Sequence, residues 1–411
     1  MNQEADSHLP KIVQIIIEAH EGSGGTFTAV RQLARALRPW CNHSIVDFTT
    51  RDTAGAGDQI TIRAARDWRG RKFSWIDRFE RERVRSALQG AHFVFIHMSY
   101  RFHAGFAANW CWRHRVPYAF VPHGSFDPYV FTYRAWQKRL WLAAIGRRML
   151  SKAAFLIFAT RKESEKAGRT VSNRRGKILP WPTPLPPPCD RNRIRKEVLA
   201  RYALEPNTRL LVFLGRLDPM KRPAETAAAF RAVAPPGWAL VVAGPEEGVP
   251  CSAIGGRGRV LAPGGVFGTQ KDELLSAADA LVLFSHRENF GFSVTEALAH
   301  GTPVLISDEL DLAPEIAAAN GGWIANGRTH EGRMRGISEV TDAARSECAS
   351  RGLNGRAWVA DQLSETRYAA NVRSLVEEAI RTDGSPRHRD HRSRPAGSAS
   401  CASRPTARRW N

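Results

Sequence analysis

The sequence predicts an α/β protein made of two doubly wound domains, each with a parallel sheet covered by helices on both faces. Three observations support this prediction. A chain of 411 residues is longer than one ordinary hydrophobic core requires, so two domains are expected. Short apolar runs alternate with helical patterns in both halves, which is typical of parallel sheets. A proline-rich stretch separates the two halves.

The first half begins with a strand, a glycine loop and a helix. Their sequences are KIVQIII (11–17), GSGG (22–25) and TAVRQLARAL (28–37), and apolar periodicity together with turn chemistry predicts the three elements in that order. Further strands are predicted at HFVFIH (92–97) and PYAFVPHG (117–124). We therefore predict an N-terminal Rossmann-like domain over residues 1–180.

The segment LPWPTPLPPPCD (179–190) carries six prolines in twelve residues. It can continue neither a helix nor a central strand, so it is predicted to be extended. We place an interdomain linker at 181–200 and a second Rossmann-like domain at 201–355. The apolar runs and helical patterns of that second domain lie at 210–215, 223–234, 238–244, 280–285, from 294, and at 302–307.

The C-terminal end of the chain has two parts. A helical pattern at 356–382 predicts a C-terminal helix beyond the second domain, and packing of this helix back on the N-terminal domain is one arrangement open to it. Residues 383–411 have almost no apolar side chains, and a disordered basic tail is predicted there.

The formal charge of +20 and the pI near 10.5 indicate an anionic partner. A phosphate-bearing substrate, an acidic membrane surface and nucleic acid all fit the charge. Nucleic acid is the weakest of the three, because the chain lacks zinc-finger spacing and RNP-like aromatic strands. The six scattered cysteines indicate neither a disulfide framework nor a zinc site, which favours a cytoplasmic location. No apolar run reaches 18 residues, so any membrane contact is expected to be peripheral.

Open α/β sheets bind ligands at the carboxyl ends of their strands, so the residues that follow each strand are the candidates for a site. In the first half these are His20, His97 and His123. In the second half, Arg216 and Lys221 follow one strand. A planar guanidinium and a mobile ammonium suit a diphosphate. Since 60 of 411 residues are Lys or Arg, a chance occurrence is the plain alternative.

The stretch ENFGFSVTEALAHGTPVL (288–305) places two glutamates with seven residues between them. Ser293 and Glu296 match a helix capping box, which is a purely structural explanation of Glu296. That explanation leaves Glu288 without a role. A carboxylate at the end of a strand, before Asn289-Phe290-Gly291 and a helix N-terminus, can accept hydrogen bonds from sugar or ribose hydroxyls.

This stretch resembles the paired-glutamate signature of family 4 glycosyltransferases, which are retaining enzymes of the GT-B fold. GRLDPMK (215–221) is similar to the diphosphate-binding segment of that family, and GTQKDELLSAADALVLFS (268–285) to the helix and strand that precede the signature. EGSGGTFTAVRQLARAL (21–37) resembles its glycine loop, and VPHGSFDPY (121–129) its donor-facing segment. The resemblance implies that two Rossmann-like domains face a central cleft.

The resemblance also implies a role for each matching residue. Glu288 would contact the donor sugar and His123 would lie beside it, as the catalytic pair. The donor-binding residues would be Glu296 on the ribose, Arg216 and Lys221 on the diphosphate, the main chain of Asn289, Phe290 and Gly291 on the sugar, and Gly24 and Gly25 near the phosphates. The family's usual Lys-Gly is Lys221-Arg222 here, so the phosphate contacts are expected to differ.

The implied reaction moves a sugar from a nucleoside-diphosphate donor to a glycan or lipid-linked acceptor, as in cell-surface polysaccharide synthesis. Fixed cations and a helix N-terminus can stabilise the departing diphosphate without a metal, and the chain has no DxD motif. We therefore expect no metal and no cofactor. Asp127 either assists on the acceptor side or only starts the turn before Pro128.

Residues 133–155 interleave bulky apolar side chains with six basic ones, which predicts a basic amphipathic helix. It would either lie on an anionic bilayer or form a core helix with a solvated back, and the sequence does not choose between these. Two other functions compete with glycosyl transfer. A dinucleotide-dependent oxidoreductase is disfavoured because GSGG is only a fragment of GxGxxG. A GT-B protein that binds, hydrolyses or epimerises a nucleotide sugar without transfer is the closer alternative.

Overall fold

The computed structural model describes residues 9–17, 24–47, 59–61, 78–255 and 258–384. Within these ranges lie two parallel sheets, of seven and six strands, with the strand orders β3-β2-β1-β4-β5-β6-β7 and β10-β9-β8-β11-β12-β13. This confirms the predicted α/β class with two doubly wound domains. His20 and the tail beyond 384 lie outside the described residues.

The strands of the first sheet are short. They are β1 (Lys11–Ile16), β2 (Asn42–Asp47), β3 (Gln59–Thr61), β4 (Phe93–His97), β5 (Tyr118–Val121), β6 (Phe155–Phe158) and β7 (Gly176–Ile178). The central ones, β4 to β6, are buried along their whole length, whereas the edge strand β7 is partly exposed. The helices of this domain are α1 (Gly25–Leu37), α2 (Arg78–Leu88), α3 (Phe102–His114), α4 (Ala135–Trp141), α5 (Arg147–Lys152) and α6 (Arg161–Gly168). A π-turn at Leu142–Gly146 joins α4 to α5, and a 3₁₀ turn spans Pro128–Thr132.

The second sheet consists of β8 (Arg209–Leu214), β9 (Trp238–Ala243), β10 (Val260–Gly264), β11 (Ala280–Leu283), β12 (Val304–Ser307) and β13 (Gly322–Ala325). The helices of this half are α7 (Arg191–Arg201), α8 (Pro223–Val233), α9 (Cys251–Ile254), α10 (Gly268–Ala277), α11 (Phe292–Ala299), α12 (Ala313–Ala318), α13 (His330–Asp342), α14 (Arg345–Gln362) and α15 (Glu365–Gly384). A 3₁₀ turn covers Pro219–Lys221.

Three predicted elements differ from the structure. The linker predicted at 181–200 is extended only to Asp190, whose carboxylate caps α7 by accepting from Asn192 N and Arg193 N. The single helix predicted at 356–382 is two helices, because Ser364 stops α14 and its hydroxyl accepts from Arg367 N at the start of α15. The basic helix predicted at 133–155 ends at Lys152, and Phe155 already belongs to β6.

Helix α15 contacts the N-terminal domain. The Arg35 guanidinium of α1 lies 3.3 Å from the Glu365 carboxylate, and the Arg373 guanidinium stacks 5.7 Å from the Trp40 ring. Both Arg35 and Glu365 are well exposed, so this ion pair contributes little stability. The buried aromatic Tyr368, whose ring lies 5.9 Å from that of Trp181, anchors the same helix to the start of the linker.

Candidate active site

A cleft between the two sheets is lined by residues that directly follow β5, β6, β8 and β11. This is the position at which open parallel sheets bind ligands, because loops after the strands splay apart there. Seven of the ten predicted site residues line the cleft: Gly25, His123, Arg216, Glu288, Asn289, Phe290 and Gly291. Gly24 and Lys221 contact residues of this lining, whereas Glu296 lies one turn into α11.

Both cations predicted to bind phosphate are paired with carboxylates. Lys221 Nζ lies 2.5 Å from Glu288 Oε2, and both side chains are mostly buried. Arg216 forms an ion pair with Glu247 and lies 3.5 Å from the Asp218 carboxylate. The two predicted functional groups Lys221 and Glu288 therefore share one interaction, so a ligand that reaches either of them disturbs the other.

The glycine loop of the first domain approaches the cations of the second. A Cβ on Gly24 would lie 3.6 Å from Arg216 Nε, and the φ of +64° at Gly24 is in the left-handed region that favours glycine. A Cβ on Gly25 would lie 3.2 Å from the Phe292 ring. Helix α1 begins at Gly25, so its N-terminus lies at the cleft opposite Arg216.

The turn after β5 connects the two domains. A Cβ on Gly124 would lie 2.0 Å from Asn289 Nδ2, and Gly124 has a φ of +71°, so only glycine fits there. Arg287 donates to the Gly124 carbonyl over 2.6 Å. His123, just before this glycine, has a φ of +48°, a strained conformation for a non-glycine residue. The His123–Gly124 turn is thus held by contacts from the opposite domain.

The buried carboxylate of Glu163 hydrogen-bonds to the His123–Gly124 turn from within the first domain. Glu163 is not among the residues predicted from the sequence. It accepts from Gly124 N and Ala159 N, each over 2.7 Å. Burial raises the pKa of Glu163 to about 7, although both backbone donors act in the opposite direction. The pattern Thr160-x-x-Glu163 after a buried strand matches a capping box in sequence, and the Thr160 hydroxyl accepts from Glu163 N, but the Glu163 carboxylate accepts from Ala159 N in place of Thr160 N. That pattern could have identified Glu163.

Asp127 serves the turn, which was the plain alternative for this residue. Its carboxylate accepts from Tyr129 N over 2.8 Å and caps the 3₁₀ turn. It also lies 3.4 Å from Arg287 Nε and 3.4 Å from Lys166 Nζ. Lys166 in turn donates to Asp311 of the second domain over 2.7 Å. Asp127 therefore belongs to an ion network that spans both domains beside the cleft.

Arg222, at the position where the family usually has glycine, does not line the cleft. It adopts the left-handed conformation with a φ of +55°, so the backbone keeps the shape that favours glycine. Its guanidinium donates to the carbonyls of Phe284 and Gly327 and to the Glu309 carboxylate. The side chain thus joins the ends of β11 and β13 and leaves Lys221 and Arg216 as the cations predicted to bind the diphosphate.

The capping box predicted for Ser293 and Glu296 is wrong. Helix α11 begins at Phe292 after Gly291, which has a φ of +72°, and no side chain caps it. Ser293 is already inside the first turn, so its hydroxyl cannot cap. The Glu296 carboxylate instead pairs with Lys271 Nζ of α10 over 2.8 Å. The structural explanation of Glu296 therefore does not apply.

Opposing effects act on the ionisation of Glu296. Burial raises its pKa, Lys271 lowers it, and the neighbouring carboxylate of Asp272 raises it. Recognition of ribose hydroxyls needs the ionised form, which is purely an acceptor. Lys271, which is not among the residues predicted from the sequence, lowers the pKa of Glu296 against the effect of burial and so favours the ionised form.

We predict that Lys271→Met makes nucleoside binding sensitive to mildly acidic pH. Loss of the ammonium raises the pKa of Glu296 further, and a carboxyl that is protonated loses acceptor capacity as the pH falls through that pKa. Binding by the variant should therefore fall away at a higher pH than binding by the parent protein. Calorimetric titration over a series of pH values measures this, with Lys271→Arg as the control that keeps the charge. Identical pH profiles for Lys271→Met and the parent would contradict the role.

Two further properties concern the described residues only. They contain no group of three or more His, Cys, Asp or Glu side chains arranged to hold a metal ion. Within them, no helix is long and apolar enough to cross a membrane.

Two family models match the chain, one on each domain. The model described as glycosyl transferase 4-like domain matches residues 24–183. The model described as glycosyl transferases group 1 matches residues 195–358, which include both glutamates and both cations of the site. The chain belongs to the family 4-type glycosyltransferases of the GT-B fold. The resemblance inferred from the sequence motifs is confirmed.

Individual relatives of this glycosyltransferase family are distant. The D-inositol 3-phosphate glycosyltransferase of Salinispora tropica is 28% identical over 236 residues, which cover 52% of this chain and 46% of the relative. That of Segniliparus rotundus is 32% identical over 121 residues, 26% of each chain. The chain thus aligns with less than half of the length of these curated relatives.

Solved structures share the fold over nearly the whole chain. Sucrose-phosphate synthase from Thermosynechococcus elongatus has a TM-score of 0.73 at 18% identity, covering 91% of this chain and all of that one. HepE from Anabaena, in complex with UDP and glucose, has a TM-score of 0.72 at 13% identity, covering 90% of this chain and all of that one. These similarities establish the GT-B fold.

Proposed function

We propose that the protein is a retaining glycosyltransferase that moves a hexose from a nucleoside-diphosphate donor to a glycan or lipid-linked acceptor, as a step of cell-surface polysaccharide synthesis. The observation that carries this proposal is the pairing of Lys221 with Glu288 at the end of β11, with Arg216 on the same wall. In the proposed role, this pair would set a phosphate-binding cation next to a hydroxyl-binding carboxylate. A sugar joined to a phosphate presents these two groups side by side.

The donor would span the cleft with its nucleoside toward α11 and its sugar toward His123. Glu296 of α11 would accept from the ribose hydroxyls, and Gly24 and Gly25 would face the diphosphate. A UDP complex of the structurally similar HepE supports a nucleoside diphosphate as the ligand class. The cleft wall at Asn289 and Gly291 would hold the sugar through its main chain.

Cleavage of the bond between sugar and phosphate builds negative charge on the departing diphosphate. Arg216 and Lys221 would stabilise that charge as cations fixed in place, and no metal is part of the proposal. Donor binding would exchange the carboxylate partners of these cations, Glu247 and Glu288, for phosphate oxygens. Glu288 would then be released toward the sugar hydroxyls. Retention at the anomeric carbon follows the family resemblance, with the leaving phosphate oxygen taking the acceptor proton.

Hydrolysis or epimerisation of the nucleotide sugar is the alternative function. Transfer is distinguished from both alternatives by incubating the protein with UDP-, GDP- and ADP-hexoses, with and without a membrane extract that supplies acceptors. Transfer predicts that nucleoside diphosphate is released and sugar enters the lipid fraction only when the extract is present. Equal release without the extract would support hydrolysis, and a changed sugar without release would support epimerisation.

The proposed acceptor side carries an unusual charge distribution. Between Arg83 and Lys162 the chain has thirteen Lys or Arg residues and one acidic residue, Asp127. Just before and along α4, Tyr133, Trp136 and Leu140 are each more than 60% exposed. Exposed aromatic side chains among cations, with no acidic residue nearby, are typical of helices that lie on anionic bilayers. We therefore propose a peripheral location on the cytoplasmic face of the membrane.

Membrane attachment predicts that Trp136→Ala/Leu140→Ala weakens vesicle binding by about tenfold. The measurement is cosedimentation with phosphatidylglycerol/phosphatidylcholine vesicles, and pure phosphatidylcholine vesicles should bind little because the attraction to anionic lipid is lost. Leu353→Ala is the matched control, since Leu353 is 66% exposed on the second domain. Equal binding by all three proteins, or no binding by the parent, would contradict the peripheral location.

A further inference from the structure

A chain of buried polar side chains leads from the interior of the first domain to His123. Gln14 in β1 has no exposed surface, and neither has His97 at the end of β4. Gln14 Oε1 lies 2.9 Å from His97 Nε2, and His97 Nδ1 lies 2.9 Å from His123 Nε2. Buried polar groups of this kind require complete hydrogen bonding, so the position of each proton in this series of three side chains has to be assigned.

The carbonyl of Val30 assigns the first proton. A carbonyl can only accept, so the Gln14 atom 3.2 Å from it is the donor Nε2. The other amide atom, Oε1, must therefore accept from His97 Nε2–H. With its proton on Nε2, neutral His97 has a free electron pair on Nδ1, which accepts from His123 Nε2–H. Neutral His123 is then unprotonated at Nδ1.

The surroundings keep both histidines neutral. Burial lowers the pKa of His123 to about 3 and that of His97 well below its usual range. The titratable groups that face His97 are His43, His103 and His123, and a positive charge on any of them would disfavour one on His97. The His123 ring also packs parallel to Trp181, with ring centroids 5.6 Å apart. One edge and one face of the His123 ring are thereby fixed.

We propose that Gln14 and His97 are positioning residues that fix His123 as the Nε2–H tautomer, so that Nδ1 accepts a hydrogen bond from a hydroxyl of the transferred sugar. The sugar contact rests on the proposed function, whereas the tautomer does not. His123 lines the cleft and lies next to the Gly124–Asn289 contact. In this role His123 is an acceptor at neutral pH and does not protonate the leaving group.

The tautomer is tested on the parent protein by nitrogen-15 NMR with labelled histidine. Long-range proton–nitrogen correlations distinguish Nε2–H from Nδ1–H rings, and His123→Asn identifies the His123 signal by its loss. We expect both His97 and His123 to show the Nε2–H pattern, unchanged between about pH 6 and 8. An Nδ1–H pattern for His123, or averaging between the two tautomers, would overturn the proposal.

Two variants of Gln14 test the link to activity. Gln14→Leu removes the acceptor for His97 and should lower kcat about tenfold or more, with a smaller change in the KM for the donor and with tautomer averaging at His123. Gln14→Glu places a carboxylate beside His97 and favours a protonated His97 that donates from Nδ1, so this variant should shift His123 toward the Nδ1–H tautomer. An unchanged His123 spectrum in Gln14→Leu would overturn the positioning role. If Gln14→Leu does not fold, the spectrum of the parent protein alone decides. A parent that shows the Nε2–H tautomer but does not respond to nucleotide sugar would instead count against the proposed function.

Discussion

Replacement of Glu288 by alanine is expected to lower sugar transfer by about 10²- to 10³-fold, the loss typical of removing one group that stabilises a transition state. Glu288 is a carboxylate of the cleft wall that follows β11, and its partner is Lys221. Without Glu288 the sugar loses its hydroxyl acceptor, while the cations on the diphosphate stay in place. The measurement is the initial rate of transfer at saturating donor, together with calorimetric binding of the nucleoside diphosphate.

The pattern expected for Glu288→Ala is a large loss of rate with nearly unchanged or tighter binding of the diphosphate, because Lys221 no longer has a competing carboxylate. Glu339→Ala is the matched control, since Glu339 lies exposed on α13 of the same domain. Circular dichroism should show that both variants are folded. A Glu288→Ala protein with the transfer rate of the parent would exclude the proposed role.

Replacement of Lys221 by alanine is expected to weaken nucleoside-diphosphate binding by about 10- to 100-fold, and nucleoside binding hardly at all. A charge-assisted hydrogen bond to phosphate contributes about 1.5 to 3 kcal/mol, which corresponds to that range. The side chain is mostly buried at the cleft, where water screens its charge less than at the surface. Paired titrations with the diphosphate and the matching nucleoside measure the difference.

Arg193→Ala provides the control for Lys221→Ala, because Arg193 is a 70% exposed cation on α7 of the same domain. Its loss lowers the net charge equally, so any general electrostatic effect of the +20 chain should appear in both variants. Equal losses for nucleoside and diphosphate in Lys221→Ala, or an effect as large in Arg193→Ala, would contradict a specific phosphate contact.

Much of the cleft could be predicted because the strands are recognisable as apolar runs, and the sequence then shows directly which residues follow each strand. Arg216 directly follows the apolar run at 210–215 and Glu288 lies three residues after the run at 280–285, and in a parallel sheet all such positions lie at the same edge. The glycine loop was found for the same reason, since Gly24 and Gly25 precede a clear amphipathic helix. Local pattern and global fold agree at these positions.

Contacts between distant segments could not be predicted in the same way. The pair of Lys271 with Glu296 joins two helices, and Arg287 reaches Gly124 across 163 positions of the sequence. A basic residue within a basic chain gives no signal of its own. The capping box predicted at Ser293 does not form, because Gly291 adopts a left-handed conformation and the helix already begins at Phe292. Glu296 therefore pairs with Lys271.

The measurement that tests the central claim most directly is calorimetric binding of UDP, GDP, ADP, CMP and NAD without added metal, repeated with Glu296→Ala. Our account predicts that one nucleoside diphosphate binds selectively and that Glu296→Ala weakens its binding. The preferred nucleotide would also identify the base of the donor. Binding of NAD alone, or of none of the five ligands, would contradict the proposal that this GT-B cleft holds a nucleoside-diphosphate sugar.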